Sequence, residues 1–124
     1  MTPEPTSITD AYGLIKIISK YKLHTEVHLV VNRVINDQEA RQTIAKIETV
    51  ANRFLQVKIQ PLGYIYDDRA VNKAVMKQEP FVLEYPESSA AMGIKQIALN
   101  LLEGSFRPPK GTVGFVKRLI RLFS

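Results

Sequence analysis

Two short apolar runs, separated by one long amphipathic segment, constrain the fold of this chain most. The runs cover residues 27–34 and 57–62, and both are rich in β-branched side chains, which favours strands. Residues 37–55 between them carry apolar side chains at helical spacing, after the capping pair Asn36-Asp37. A strand–helix–strand connection within one sheet is almost always right-handed. The sequence therefore predicts two parallel strands, near 26–32 and 57–63, joined by a crossover helix.

Further helices are predicted near 6–21, 68–77 and 87–103, with Thr6, Ser7 or Thr9 capping the first and Asp67 or Asp68 the second. Residues 81–83, between two prolines, are expected to be extended. Only two strands are convincing, so the predicted architecture is α/β, a partial parallel sheet with flanking helices and two open sheet edges. The side chains expected to be covered are Ile8, Tyr12, Leu14, Ile15 and Ile18 of the first helix, Ala40, Ile44, Ile47, Val50, Ala51 and Phe54 of the crossover helix, and Ala70, Val71, Ala74 and Val75 of the next.

Composition and charge restrict the classes of function. The chain has 124 residues, of which 45% are hydrophobic, enough for one globular domain. It has no cysteine, which excludes disulfides and thiolate chemistry and fits a cytosolic protein. The net charge is +5, and no acid follows Glu103. The basic residues beyond that point indicate a phosphate-bearing partner, either a membrane surface or a nucleic acid.

The end of the chain divides into a linker, residues 105–111 with Pro108-Pro109, and an amphipathic helix predicted over 112–124. A basic face opposite an apolar face is typical of a helix that lies in the membrane plane. Nucleic-acid binding is the weaker alternative, because the cations alternate with large aliphatic residues and no recognition pattern is present. A further alternative is that the apolar side packs on the protein itself. The expected membrane-binding residues are Val113, Phe115, Val116, Lys117, Arg118, Leu119, Ile120, Arg121 and Phe123.

Polar residues follow both predicted strands. Asn32 and Arg33 end the first, and residues 63–68 follow the second as a predicted loop. In open α/β sheets, ligands bind outside the carboxyl ends of the strands. Arg33 either pairs with an aspartate of that loop or is a solvated surface residue. His24 and His28 have no acidic or cysteine neighbour in a metal-binding pattern, so no metal site is predicted.

Five segments carry a resemblance to a known protein family: residues 2–12 (TPEPTSITDAY), 28–33 (HLVVNR), 63–68 (GYIYDD), 74–83 (AVMKQEPFVL) and the basic tail. Together they resemble the carboxy-terminal half of the MinD/ParA-type P-loop ATPases. Within that family the resemblance is greatest to the regulators of flagellar number and placement, FlhG (also called FleN or YlxH). It covers essentially the whole chain and implies that residues 1–104 form half of a MinD-like P-loop NTPase fold, lacking the phosphate-loop half.

The resemblance also implies a nucleotide site. Asn32 would hydrogen-bond adenine, and Tyr64, Ile65, Tyr66 and Asp67 would form the loop that packs on the ring; the plain alternative is that Asn32 ends a strand and Asp67 caps a helix. ATP is the cofactor of the parent family. The glycine-rich phosphate loop and the magnesium-binding aspartates belong to the other half, and no G-x-x-x-x-G-K-[ST] occurs here. We therefore expect no catalytic residues, no ATPase activity and no tightly bound cofactor.

The expected function is that of a fragment of a MinD-like ATPase that regulates flagellum number and placement in bacteria. By resemblance it would be cytoplasmic, peripheral at the inner face of the cell membrane, and in contact with flagellar assembly proteins. The open sheet edges favour self-association, and no specific nucleic acid is expected. The alternatives are a nucleic-acid-binding fragment, or a purely structural one that acts only with its missing amino-terminal half.

Overall fold

The structure is a computed structural model that describes residues 1–103 of the chain. It divides into two compact units, Met1–Tyr64 and a second that begins at Ile65. The predicted linker, residues 105–111, and the predicted membrane helix, residues 112–124 with all of its membrane-binding residues, lie outside the described residues. The single domain predicted over 1–104 stays a prediction.

The first unit contains two parallel strands, which confirms the α/β prediction. The strands are neighbours in one sheet, and the N–H of Lys58 donates to the carbonyl of Thr25 at 2.9 Å where both strands begin. The second strand ends two residues beyond the unit boundary. The elements are α1 (Pro5–Lys20), β1 (Glu26–Val34), α2 (Asp37–Phe54) and β2 (Lys58–Tyr66).

The core of the first unit lies between α2 and the sheet. α2 packs on β1, and α1 packs on α2. Val31 and Val34 of β1 are fully buried, as is Ala40 of α2, and Ile47 is 1% exposed. Thr43 is also buried, and its hydroxyl donates to the carbonyl of Glu39 at 2.8 Å, so the polar atom is satisfied inside the helix.

The apolar stripes predicted from spacing are wider than the faces that are covered in residues 1–103. Leu14, Phe54 and Val75 were expected to be covered, but they are 61%, 65% and 66% exposed. Those three predictions are wrong, because an apolar side chain at helical spacing marks a direction on the helix and not the presence of a neighbour. Thr43 takes a core position that hydrophobicity alone does not indicate.

The helix starts agree with the sequence at α2 and differ at α1. Asn36 caps α2 as predicted, its Oδ1 accepting from the N–H of Glu39 at 2.8 Å. α1 begins instead at Pro5, after Glu4, and has no side-chain cap. The predicted caps at Thr6, Ser7 or Thr9 are wrong, because proline suits the first helical position, where an N–H has no partner.

α1 ends in a tight hydrogen-bonded turn. The N–H of Leu23 donates to the carbonyl of Ile18 at 3.0 Å and that of Lys22 to the carbonyl of Ser19 at 3.1 Å. Lys22 has φ 51°, the left-handed conformation that glycine usually takes in this Schellman arrangement. The N–H of Gln56, just past α2, donates to Oγ of Ser19 at 3.3 Å. The carboxyl ends of α1 and α2 therefore lie together, beside the beginnings of both strands.

The second unit contains three helices among its described residues, α3 (Arg69–Met76), α4 (Phe81–Glu84) and α5 (Ser89–Glu103). α4 corrects the extended segment predicted over 81–83. Pro80 sits at its N-cap, and the N–H of Tyr85 returns to the carbonyl of Phe81 at 2.8 Å. The two flanking prolines enclose one helical turn, since proline is tolerated at a helix start as well as in extended chain. Among residues 1–103, no helix is both long and apolar enough to span a membrane.

Candidate functional site

Asn32 lies on β1 with its side chain exposed. Its backbone N–H donates to the carbonyl of Met1 at 2.7 Å, and the amino group of Met1 donates to the carbonyl of Val30 at 3.1 Å. Met1 therefore bonds to the residues before and after Val31, which is the hydrogen-bond pattern of two parallel strands. Met1 is thus paired with the edge of β1 that faces away from β2, and it holds the backbone from which Asn32 projects.

The residue after Asn32 has an unusual backbone. Arg33 has φ 62° within β1, a left-handed conformation that costs a non-glycine residue about 1 kcal/mol. It interrupts the alternation of the strand, so that Asn32 and Arg33 are both exposed before the chain returns to the fully buried Val34. The sequence predicted that this polar pair would end the strand, but β1 continues to Val34, so the pair lies inside the strand. Such outliers concentrate at functional sites.

Tyr64 lies on β2, and its hydroxyl donates to Oδ1 of Asp37 at 2.8 Å. Asp37 is the first residue of α2, where a carboxylate also meets the positive end of the helix dipole. The prediction that Tyr64 belongs to a loop is wrong, because the ladder of β2 continues past Gly63. Gly63 itself has φ 149°, which side-chain-bearing residues rarely adopt.

The other predicted loop residues lie in the second unit. Ile65 and Tyr66 are the last residues of β2, and Ile65 is buried, with 9% of it exposed. The predicted loop thus begins only at Asp67, which is exposed. Their adenine-packing role stays a prediction, and so does the pairing of Arg33 with Asp67 or Asp68.

Asp68 joins the beginnings of two helices. Its Oδ1 accepts from the N–H of Ala70 at 2.9 Å and caps α3, as predicted, while its Oδ2 accepts from the N–H of Ala90 in α5 at 3.0 Å. The N–H groups of Ala90, Ala70 and Ser89, in that order of strength, hold the pKa of Asp68 below its usual value near 3.8. Both carboxylate oxygens are occupied, which makes Asp68 a structural group and not a free base.

The arrangement in the first unit suits a heterocyclic base better than a phosphate. The exposed amide of Asn32 offers one donor and one acceptor group to a purine edge. The amino end of α2, a position that can bind phosphate in other folds, instead carries the carboxylates of Asp37 and Glu39. Carboxylates repel phosphate at that position. Within residues 1–103, no group of three or more His, Cys, Asp or Glu side chains could hold a metal ion.

Three of these contacts could not be predicted from the sequence. The bridge from Met1 and the bond between Tyr64 and Asp37 join residues far apart in the chain, and no local pattern indicates either. Asp68 is predictable as a cap of α3, but its second bond spans 22 positions to Ala90. A cap motif specifies the helix that follows it and carries no information about a distant one.

Comparison with known proteins finds relatives of this chain, although no protein-family model matches it. The chain is 38% identical to the antiactivator FleN of Pseudomonas aeruginosa over 122 residues, which cover 95% of the chain and 43% of FleN. It is 34% identical to the flagellum site-determining protein YlxH of Helicobacter pylori, over 97% of the chain and 42% of YlxH. The chain is thus similar to part of FleN and to part of YlxH, which is consistent with a carboxy-terminal fragment of a MinD-like ATPase.

The chain is also similar to a third protein. An uncharacterized ATP-binding protein of Methanocaldococcus jannaschii is 30% identical over 98% of the chain and 44% of its own length. The chain therefore spans less than half the length of the curated relatives it matches. This coverage is consistent with a partial P-loop NTPase fold, and the structure shows an α/β arrangement with two parallel strands and flanking helices.

Proposed function

We propose that this chain is a non-catalytic part of a FleN–YlxH-type regulator of flagellum number or placement. The observation that carries the proposal is the 38% identity with the antiactivator FleN over 95% of the chain. In this proposal it retains the adenine side of an ATP site, Asn32 with residues 64–67, and a membrane-binding helix at 112–124. It acts in the cytoplasm at the inner face of the membrane, with flagellar assembly proteins as partners. The alternative that it works only together with a further part of such a protein is supported by the coverage of 43%.

Self-association is part of this proposal. Of the two edges of the sheet, the edge of β1 supports it and the edge of β2 does not. The edge of β1 that faces away from β2 accepts Met1 as a parallel bridge, which shows that a parallel strand fits there, and a strand of a second copy would take the place of Met1. The far edge of β2 contains the exposed Pro61, which has no N–H to donate. Pairing between copies is therefore expected at β1 and not at β2.

The nucleotide part of the proposal predicts weak binding that does not depend on the phosphates. Titration calorimetry should detect no micromolar affinity for ATP with magnesium, because phosphate contacts are expected to supply most nucleotide affinity and the machinery for phosphoryl transfer is not in this sequence. ATP and adenosine should bind equally weakly, and Asn32→Ala should remove what binding there is. Micromolar, magnesium-dependent affinity for ATP alone would contradict the proposal.

The membrane part predicts reversible binding to anionic vesicles. Lys117, Arg118 and Arg121 should together contribute about 3 kcal/mol at an anionic surface, and burial of Val116, Ile120 and Phe123 should add a few kcal/mol. In vesicle sedimentation, Val116→Glu should strongly reduce binding by this helix, whereas the control Val116→Leu should keep it. Lys117→Glu should weaken binding mainly at low salt. Equal sedimentation of the wild type and Val116→Glu at every salt concentration would remove this helix from the proposal.

A further inference from the structure

One end of the first unit combines exposed apolar rings with cations. It is the end at which α1 and α2 both finish, and the bond from the N–H of Gln56 to Oγ of Ser19 holds the two helix ends together. Tyr21, Leu23 and Phe54 are 63%, 58% and 65% exposed here. We call this surface the helix-end patch. It consists of Lys20, Tyr21, Lys22, Leu23, Arg53 and Phe54.

We propose that the helix-end patch docks on an anionic phospholipid surface, as a second membrane contact that lies within residues 1–103. It shares its partner with the membrane helix proposed at 112–124 but uses different residues, so either contact can exist without the other. The proposal rests on charge complementarity, on the pairing of cations with rings, and on the backbone of Lys22.

The charges of this end are mainly positive. Glu26 at the beginning of β1 is an acid at the same end, where it lies 3.5 Å from His28, and Lys58 at the beginning of β2 adds a further cation. Lys20 and Arg53 lie in the last turns of their helices, and Lys22 follows α1 directly. Asp10, the nearest acid on α1, lies about 15 Å along the axis from Lys20 at 1.5 Å per residue, and Glu48 lies about 9 Å from Phe54 by the same measure. A positive surface of this kind is complementary to anionic headgroups.

The rings and the cations are paired in a way that suits a membrane interface. The Nζ of Lys20 lies 5.5 Å from the centre of the Tyr21 ring, and Cζ of Arg53 lies 5.4 Å from that of Phe54. Each pair presents an apolar body beside a charged tip. Aromatic and basic side chains favour the headgroup region for this reason, because the ring enters the apolar boundary while the cation stays among phosphates.

Lys22 combines a positive charge with a backbone conformation that favours glycine. Its φ of 51° is a conformation that glycine adopts without steric cost, and the two hydrogen bonds of the turn fix it there. The residue in this strained conformation is a lysine, which contributes a charge that glycine lacks. Folding favours glycine at this position and membrane binding favours lysine. A substitution of Lys22 should therefore change stability and vesicle affinity in opposite directions.

The test uses a position-specific fluorophore, which is practical because the chain contains no cysteine. Leu23→Cys, labelled with an environment-sensitive dye, should show a blue shift with vesicles of phosphatidylglycerol and phosphatidylcholine at low salt, and none with phosphatidylcholine alone. The matched control is Gln38→Cys at the opposite end of α2, which should show no shift. The same labels in the Val116→Glu background separate the patch from the membrane helix.

Two substitutions give the quantitative result. Lys22→Gly should lower vesicle affinity in the Val116→Glu background about fivefold, the effect of one cation, while leaving the thermal midpoint equal or higher. Gln78→Gly is the matched control, since Gln78 also has a positive φ, 58°, and its affinity should be unchanged. The full chain is used throughout.

The outcomes are separable. No shift at Leu23, while the chain still sediments through residues 112–124, overturns this proposal and leaves the proposed function intact. A shift at Leu23 with Val116→Glu as well as with the wild type supports it. A shift with soluble polyglutamate but none with anionic vesicles overturns it in favour of an acidic protein partner.

Discussion

Replacing Ile47 with alanine should lower the free energy of unfolding of the first unit by about 3 kcal/mol. Ile47 is 1% exposed in the middle of α2, the helix that packs on β1 and is in turn packed by α1. Truncating a buried isoleucine removes its transfer free energy and leaves a cavity, which together cost 2–5 kcal/mol. Small domains have about 5–15 kcal/mol in total. The substitution should therefore move a urea midpoint followed by circular dichroism far toward low concentration.

The matched control is Ile17→Ala in α1, where the same side chain is 51% exposed. It should change the free energy of unfolding by less than about 1 kcal/mol, because little burial is lost and alanine favours the helix. If both substitutions have the same effect, the packing of α2 between α1 and β1 is not as described.

Replacing Asp68 with alanine should cost about 2 kcal/mol of stability in the second unit. The carboxylate caps α3 through Ala70 and holds the first turn of α5 through Ala90, and each such bond contributes about 1 kcal/mol. Asp68→Asn should cost about half as much, because the amide keeps one accepting oxygen and presents an N–H₂ group in place of the other. Thermal unfolding of the three proteins at neutral pH measures the order.

The same carboxylate makes the stability of the second unit depend on pH. Its pKa is lowered in the folded protein by the N–H groups of Ala90 and Ala70, from a usual value near 3.8. A group with a depressed pKa contributes stability above its unfolded pKa and loses it as the pH falls through the folded pKa. The difference between wild type and Asp68→Asn should thus be constant near neutral pH and shrink below about pH 4. A difference between wild type and Asp68→Asn that grows on acidification would contradict the assignment.

The sequence predicted the fold where local patterns and burial agree. The strand–helix–strand unit was correct because one amphipathic helix between two apolar runs leaves few alternatives, and Asn36 and Asp68 cap the helices predicted for them. Residues 81–83 were wrong because proline permits both an extended chain and a helix start, and the choice depends on packing. The exposure of Leu14 and Phe54 could not be foreseen, since it depends on where another element lies.

The candidate site was predictable only in part. The position of Asn32 near the end of β1 follows from hydrophobic patterning, but the left-handed backbone of Arg33 does not, because arginine has no preference for it. Tyr64 was assigned to a loop because glycine precedes it, yet Gly63 continues the strand with an unusual φ of 149°. Glycine marks a position where the backbone departs from the common regions, and it does not show whether pairing stops there.

The parallel bridge from Met1 has a consequence for how the chain winds. From Met1 onward, the first unit contains the same connection twice: a strand position, a helix that returns along the sheet, and the next strand position. The first connection contains α1 and the second contains α2. Successive steps in one direction with one hand place their helices on one side, which fits the packing of α1 on α2. The sheet is therefore singly wound in this unit. A further strand beside Met1 would continue the series without crossing any connection already made.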